Sequence, residues 1–318
     1  MGIAIIAKQI FVLIILALIG VIATRKNIIQ GEVKSGLSKI IFNVTLPFLI
    51  ITRISSLEVD DSILVDWGIV IVIVFLSILF FLLIGLMTYK LLKLPPEKSI
   101  IHMMHTAFTN AVFLGFPILD ALFPDGEGIL YGIIYFLTQN TTMWTLGIYL
   151  FTREQNKRKI DNLKNLLNPN TVAFFIGLMM LLFNIEIPGF LFDSLYGLGK
   201  TTLYLAMLYT GAILAHINFK SIFHNNTSLL LSFNKLLLAP VLFMFLLKAL
   251  FLIVPIDLNA TAKTVIILEA AMPCQTLMII LARQFGKDDF YATQNFSIST
   301  ILSILTLPVI YYLTQLVF

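Results

Sequence analysis

The chain has 318 residues, of which 59% are hydrophobic and only 12% charged, with 21 Lys and Arg against 17 Asp and Glu. Soluble domains carry about 25% charged residues, so this composition excludes a water-soluble enzyme, a disordered tail and a nucleic-acid binder. A mean hydropathy of +0.97 points to a polytopic membrane protein, in which a basic excess belongs to cytoplasmic loops.

Apolar runs close to the ~20 residues that cross a bilayer predict ten helical spans, over 5–24, 36–54, 64–91, 99–122, 128–152, 170–184, 195–217, 228–254, 262–284 and 289–315. The first is preceded by almost no basic region and shows no small-residue cleavage site, so it reads as a retained helix and not as a signal peptide. Residues 153–169 are polar and basic. They read as a cytoplasmic linker between a first unit at 1–152 and a second at 170–318. Asn184-Ile185-Glu186-Ile187-Pro188 divides one apolar zone into spans six and seven.

Fifteen of the 21 Lys and Arg follow odd-numbered spans, including Arg25, Lys26, Lys90, Arg153, Arg158, Lys220 and Arg283. Acidic residues such as Glu58, Asp60, Asp125, Glu127 and Asp257 follow the even ones. The positive-inside rule then places the odd loops in the cytoplasm and both termini outside the plasma membrane.

The two halves echo one another. Gly36-Leu37-Ser38-Lys39 recurs as Gly197-Leu198-Gly199-Lys200, Gly115-Phe116-Pro117 aligns with Ala271-Met272-Pro273, and Thr138-Gln139-Asn140 recurs as Thr293-Gln294-Asn295, at offsets of 161, 156 and 155. Five spans per half is an odd number, so the second half enters from the opposite face. The expected fold class is an all-α membrane protein of ten transmembrane helices, built as two inverted five-helix repeats. Such repeats are the plan of secondary transporters.

Pro117 in span four and Pro273 in span nine fall near mid-membrane. Proline removes a helix hydrogen bond, and the freed backbone groups must then face protein, a cavity or a ligand. A single proline reads as a simple kink. The pair, with small Gly115, Ala270 and Ala271 beside it, predicts that helices four and nine are broken and cross. Their second halves should start near Ile118 and Cys274, with the positive ends of two half-helices facing one site.

Glu269, four residues before Pro273, is the deepest acidic residue in a span, and Asp120 follows Pro117 by three. An ionisable group in a span is a functional candidate by default, and both read as candidates for a coupling ion. The structural alternatives are a hydrogen-bonded Glu269 and an Asp120 at the outer interface. Asn110, Gln139, Asn140, Gln275, Gln294 and Asn295 are amides in apolar spans, for which interhelical bonding is the plain role. His102 and His105 read as an interfacial pair, and Lys200, Lys235 and Lys248 as residues that snorkel to an interface. Cys274 is the one cysteine; it has no disulfide partner and no cysteines beside it for a metal site. No HExxH, P-loop or GxSxG is present, so no catalytic residues, no cofactor and no metal are expected.

Leu37-Ser38-Lys39 through Thr45-Leu46-Pro47-Phe48, Thr109-Asn110-Ala111-Val112-Phe113-Leu114-Gly115-Phe116-Pro117, Trp144-Thr145-Leu146-Gly147, Ala271-Met272-Pro273 and Leu307-Pro308 together resemble the auxin efflux carrier family. The resemblance covers nearly the whole chain. It implies two inverted five-helix repeats crossing at the prolines of helices four and nine, a scaffold and an elevator-like transport part, and often a homodimer. The short linker resembles the compact bacterial branch of malate-like permeases. Carried over position by position, the resemblance makes Asn110 and Gln139 site residues and Pro47, Pro117 and Pro273 helix-breaking prolines. Gly115, Pro117, Pro273, Cys274 and Gln275 complete the expected substrate wall. The expected function is alternating-access transport of a small organic anion, coupled to a proton or to sodium. The rivals are a sodium-coupled carrier of the bile-acid type and a membrane ligand sensor.

Overall fold

In lipid, a backbone without water must satisfy its own polar groups, which favours helices wherever the chain is continuously apolar. The computed structural model describes residues 2–56, 61–152, 167–215, 226–254 and 258–318, with the side chains of 2–10, 61–64 and 152 outside that description. The described residues are all-helical apart from connections and one isolated β-bridge. In chain order the helices are α1 (Gly2–Arg25), α2 (Gly31–Ser55), α3 (Asp61–Leu91), α4 (Pro96–Ala107), α5 (Ala111–Leu122), α6 (127–152), α7 (Pro169–Leu182), α8 (Gly189–Leu214), α9 (Asn226–Ile253), α10 (Ala260–Ala270), α11 (Leu277–Gln284) and α12 (Asp289–Val317). Among the described residues, four are long and apolar enough to cross a membrane: α2, Val65–Leu91 of α3, α9 and α12. Residues 153–166 lie outside the described residues, and with them most of the expected linker and its basic side chains; so do Glu58, Asp60, Lys220 and Asp257.

Local signals set the helix ends. After α7, Asn184 adopts φ 51°. Its N–H bonds to the Leu181 carbonyl while Ile185 N–H bonds to Met180 O, the pair of bonds that closes a helix on a left-handed residue. Gly286 ends α11 in the same way, with Lys287 N–H on Ala282 O. Asn168, Asn259 and Asp288 cap the starts of α7, α10 and α12 with side-chain oxygens.

Prolines inside the long helices are absorbed without a break. Thr45, Gly115 and Leu238 each close a five-residue π-helical turn, and Pro47, Pro117 and Pro240 each follow two residues later. The wider turn accommodates a ring that would otherwise strike the carbonyl one turn back. Pro47 and Pro117 are therefore not helix breaks, which corrects the sequence expectation for both. Pro273 does lie in a break.

Large apolar side chains remain exposed along the outer helices, among them Phe11, Leu83, Phe175 and Leu252. This surface suits hydrocarbon, where small residues let helices approach closely. Gly20 and Gly211 bring α1 and α8 together backbone to backbone: a Cβ at Gly20 would strike Leu208, and one at Gly211 would strike Ala17. Gly211→Val should force the two helices apart. Overpacking typically costs about 1–3 kcal/mol, so the expected result is a lower melting midpoint and a smaller monodisperse fraction on size exclusion. A midpoint equal to the wild type would show that the helices adapt.

Candidate functional site

The site begins with two interruptions. α4 ends at Ala107, residues 108–110 are unwound, and α5 begins at Ala111. α10 ends at Ala270, and α11 begins at Leu277 after six non-helical residues. The two unwound segments meet: Thr109 and Cys274 form an antiparallel bridge, and Asn110 N–H donates to the Pro273 carbonyl at 2.8 Å. Helices four and nine of the sequence reading are thus both broken, and they touch at their breaks.

The break in the second half is set by Pro273, which lacks an N–H and keeps Met272 out of the helical region. The break in the first half contains no proline. Pro117 lies inside α5, seven residues beyond Asn110, and the half-helix starts at Ala111 instead of Ile118. The alignment of Pro117 with Pro273 therefore does not match the structural pairing of Thr109 with Cys274.

Gln139 of α6 holds the first break open. Its Oε1 accepts from Thr109 N–H at 2.7 Å and from Thr109 Oγ1 at 3.0 Å, and its Nε2 donates to the Thr109 carbonyl at 3.0 Å. One amide side chain thereby satisfies both peptide groups of a residue that has left its helix. Ser299 of α12 does a smaller version of this for the second break, where its Oγ accepts from Cys274 N–H at 3.1 Å.

A cavity of about 240 Å³ adjoins the contact, lined by residues that include Asn110, Gln139, Asn140, Trp144, Tyr209, Gln275 and Thr276. Drug-sized ligand sites run about 300–1,000 Å³, so this one suits a small metabolite. Among the described residues its lining contains amides, hydroxyls and aromatic rings and no Lys, Arg, Asp or Glu. Both half-helices begin here, since Ala111–Phe113 of α5 and Leu277 of α11 are part of the wall. The first N–H groups of a helix have no intrahelical acceptor and carry partial positive charge. Four buried polar atoms on the wall also lack partners among the described residues: Asn110 Nδ2, Asn170 Oδ1, Gln275 Oε1 and Thr276 Oγ1. Phe113 packs between Phe42 and Tyr209, with ring centroids 5.1 and 4.8 Å away.

Of the expected substrate wall, Asn110, Gln139 and Gln275 line the cavity, whereas Gly115, Pro117, Pro273 and Cys274 do not. Gly115 serves another purpose, because a Cβ there would collide with the Glu269 carboxylate. Glu269 itself is fully buried outside the cavity lining, and neither carboxylate oxygen has a hydrogen-bond partner. Asp120 pairs with Arg53 at 2.9 Å. Placing the break at Asn110 moves it ten residues along the half-helix, or about 15 Å at 1.5 Å per residue, so it stands far from the contact.

Two further expectations are corrected. His102 and His105 are fully buried instead of interfacial, with His102 bonded to Thr88 and Tyr291. Lys235 does not snorkel; it has no exposed surface. Among the described residues no group of three or more His, Cys, Asp or Glu is placed to hold a metal. Cavity residues missed from sequence include Ser38, Asn43, Asn168, Asn170 and Tyr209. Asn43, an amide in an apolar run, carried the same signal as Asn110. Asn168 lies just before a helix, where its cap role dominates the reading.

A family model described as membrane transport protein matches residues 5–311. An uncharacterized transporter of Methanocaldococcus jannaschii is 24% identical, over 94% of this chain and 95% of its own length. The uncharacterized transporter YfdV of Escherichia coli K12 is 24% identical over 96% of each chain. An uncharacterized transporter of Methanothermobacter thermautotrophicus is 25% identical over 93% of this chain and 94% of its own.

Proposed function

Since the chain belongs to the membrane transport protein family, that of the auxin efflux carriers, we propose that it is a secondary transporter of a small organic anion, a malate-like carboxylate, working by alternating access. The observation that carries this reading is the cavity at the two helix breaks, walled by two half-helix starts and by unpartnered amide and hydroxyl groups. Neutral donors with two converging dipoles favour an anion without binding it irreversibly, because among the described residues no fixed ammonium or guanidinium lines the wall. A carrier must release what it binds.

The proposed frame is ten spans in two inverted five-helix repeats, with α4–α5 and α10–α11 as the broken fourth and ninth. Both termini face outward, and a pair of chains forms a homodimer in the plasma membrane. The cavity reaches Asn168 and Asn170 at the start of α7, next in sequence to the basic segment assigned to the cytoplasm. It therefore represents the inward-facing end of the cycle. Glu269 is the group at which a coupling proton or sodium ion would act.

Uptake of a panel of labelled mono- and dicarboxylates into proteoliposomes, with imposed proton and sodium gradients, tests the reading. Accumulation of a small carboxylate above protein-free vesicles is the expected result. A panel in which neutral solutes accumulate and no carboxylate does would overturn it.

A further inference from the structure

Close contacts sort helices into two groups. In the first, α1 and α8 meet at Gly20 and Gly211, Gly199 of α8 lies on the backbone of Phe48 and Leu49 in α2, and Gly177 sets α7 against Ile51 and Ile54 of α2. Thr202 of α8 also donates to Thr45 of α2 at 2.8 Å. In the second, Gly85 of α3 meets the Met103 backbone of α4, Gly132 of α6 meets Leu119 of α5, and Gly115 of α5 meets Glu269 of α10. His102 of α4 bonds Tyr291 of α12. The cavity lies on the seam between the groups: Phe42, Asn43 and Tyr209 come from the first, and Asn110, Gln139 and Gln275 from the second.

α2 and α5 flank that seam. Asn43 and Asn110 line the cavity, and ten residues farther along each helix stand Arg53 and Asp120. At 1.5 Å per residue the two lie about 15 Å beyond the cavity. They close on each other there, with Arg53 Nη2 donating to Asp120 Oδ1 at 2.9 Å. The Arg53 guanidinium also sits 5.4 Å from the centroid of the Tyr196 ring of α8. It fills the space at Gly126, in the turn after α5, where a Cβ would strike Nη1. The Arg53 side chain is 13% exposed and that of Asp120 25%. Among the described residues the other ion pairs, Lys98–Asp288 and Arg283–Asp289, lie within the second group.

We propose that Arg53–Asp120 is a latch that shuts the seam at this end while the cavity is open at the other. Apolar contacts across the seam, such as Phe113 on Phe42 and Tyr209, tolerate sliding. A charged hydrogen bond is short and directional, so the groups cannot part at this end without breaking it. The aromatic contact with Tyr196 keeps Arg53 on the first group when Asp120 leaves with the second. The inference rests on the reading of the cavity as one end of an alternating-access cycle, and deepens it by naming what holds the other end closed.

Labelling of a single cavity cysteine by a membrane-impermeant maleimide tests this, in the full-length chain carrying Cys274→Ala and Thr276→Cys. With reagent added to intact cells or to inverted vesicles, this parent should react quickly at one face and slowly at the other. Arg53→Gln and Asp120→Asn should each speed the slow face by roughly three- to tenfold, the range for a partly exposed ion pair. The double variant Arg53→Gln/Asp120→Asn should be no faster than the faster single one, because all three remove the same bond. A parent labelled equally at both faces or at neither, single variants with the parent's rates, or additive effects in the double would overturn the proposal. Faster labelling at both faces would mean loosened packing and would do the same. If Arg53→Gln does not accumulate, Asp120→Asn carries the test. Failure of both to accumulate counts against a latch, which opens in every cycle and cannot be needed for folding. No transported substrate enters the readout. A chain that accumulates no carboxylate leaves the latch standing, and labelling indifferent to both variants leaves anion transport standing.

Discussion

Asn110→Ala should lower uptake of the carboxylate that the wild type accumulates by roughly ten- to a hundredfold, while leaving the melting midpoint near the wild-type value. A hydrogen bond to a charged partner is worth about 1.5–3 kcal/mol, and each 1.4 kcal/mol is about tenfold. Asn110 Nδ2 is buried on the cavity wall without a partner in the protein, so its removal breaks no internal bond there. The backbone N–H of the same residue, which binds Pro273 O at 2.8 Å, survives the substitution. Loss of transport in a stable, monodisperse variant is the combination that identifies a binding group. Uptake at the wild-type rate would move the site elsewhere.

Gln139→Ala should behave in the opposite manner and damage the fold first. It leaves the Thr109 N–H and carbonyl without their partner in a fully buried segment. Each stranded buried group costs about 1–3 kcal/mol, so roughly 2–6 kcal/mol is at stake against the about 5–15 kcal/mol that holds a typical protein together. The expected result is a sharp fall in folded yield and in melting midpoint, with transport lost as a consequence. Fluorescence-detected size exclusion and a thermal melt measure this directly. A Gln139→Ala protein of wild-type stability with no uptake would instead make Gln139 a substrate ligand. The contrast with Asn110 is the useful part, because both amides line the same cavity, but Gln139 Nε2 donates to the protein whereas Asn110 Nδ2 has no partner.

Composition alone placed this chain in a membrane, since too few charged residues exist to cover a soluble surface. The apolar runs determined the helices for the same reason, as does any backbone deprived of water. Asn184-Ile185-Glu186-Ile187-Pro188 announced the gap between α7 and α8, and Pro273 announced the second break, because both signals are local in the chain. The first break was read at the wrong residue. Nothing between Ala107 and Ala111 forbids a helix; what opens it is Gln139, thirty residues away, and that partner exists only after α6 has packed beside α4 and α5. Proline was an unreliable sign in the other helices because a π-helical turn absorbs it at Pro47, Pro117 and Pro240. The fate of the charges also depended on tertiary neighbours. Asp120 finds Arg53 sixty-seven residues earlier, and Lys235 finds the carbonyl end of α10 thirty-five residues later. A side chain in a span turns to an interface or to a buried partner according to which helix lies beside it, and only packing decides that.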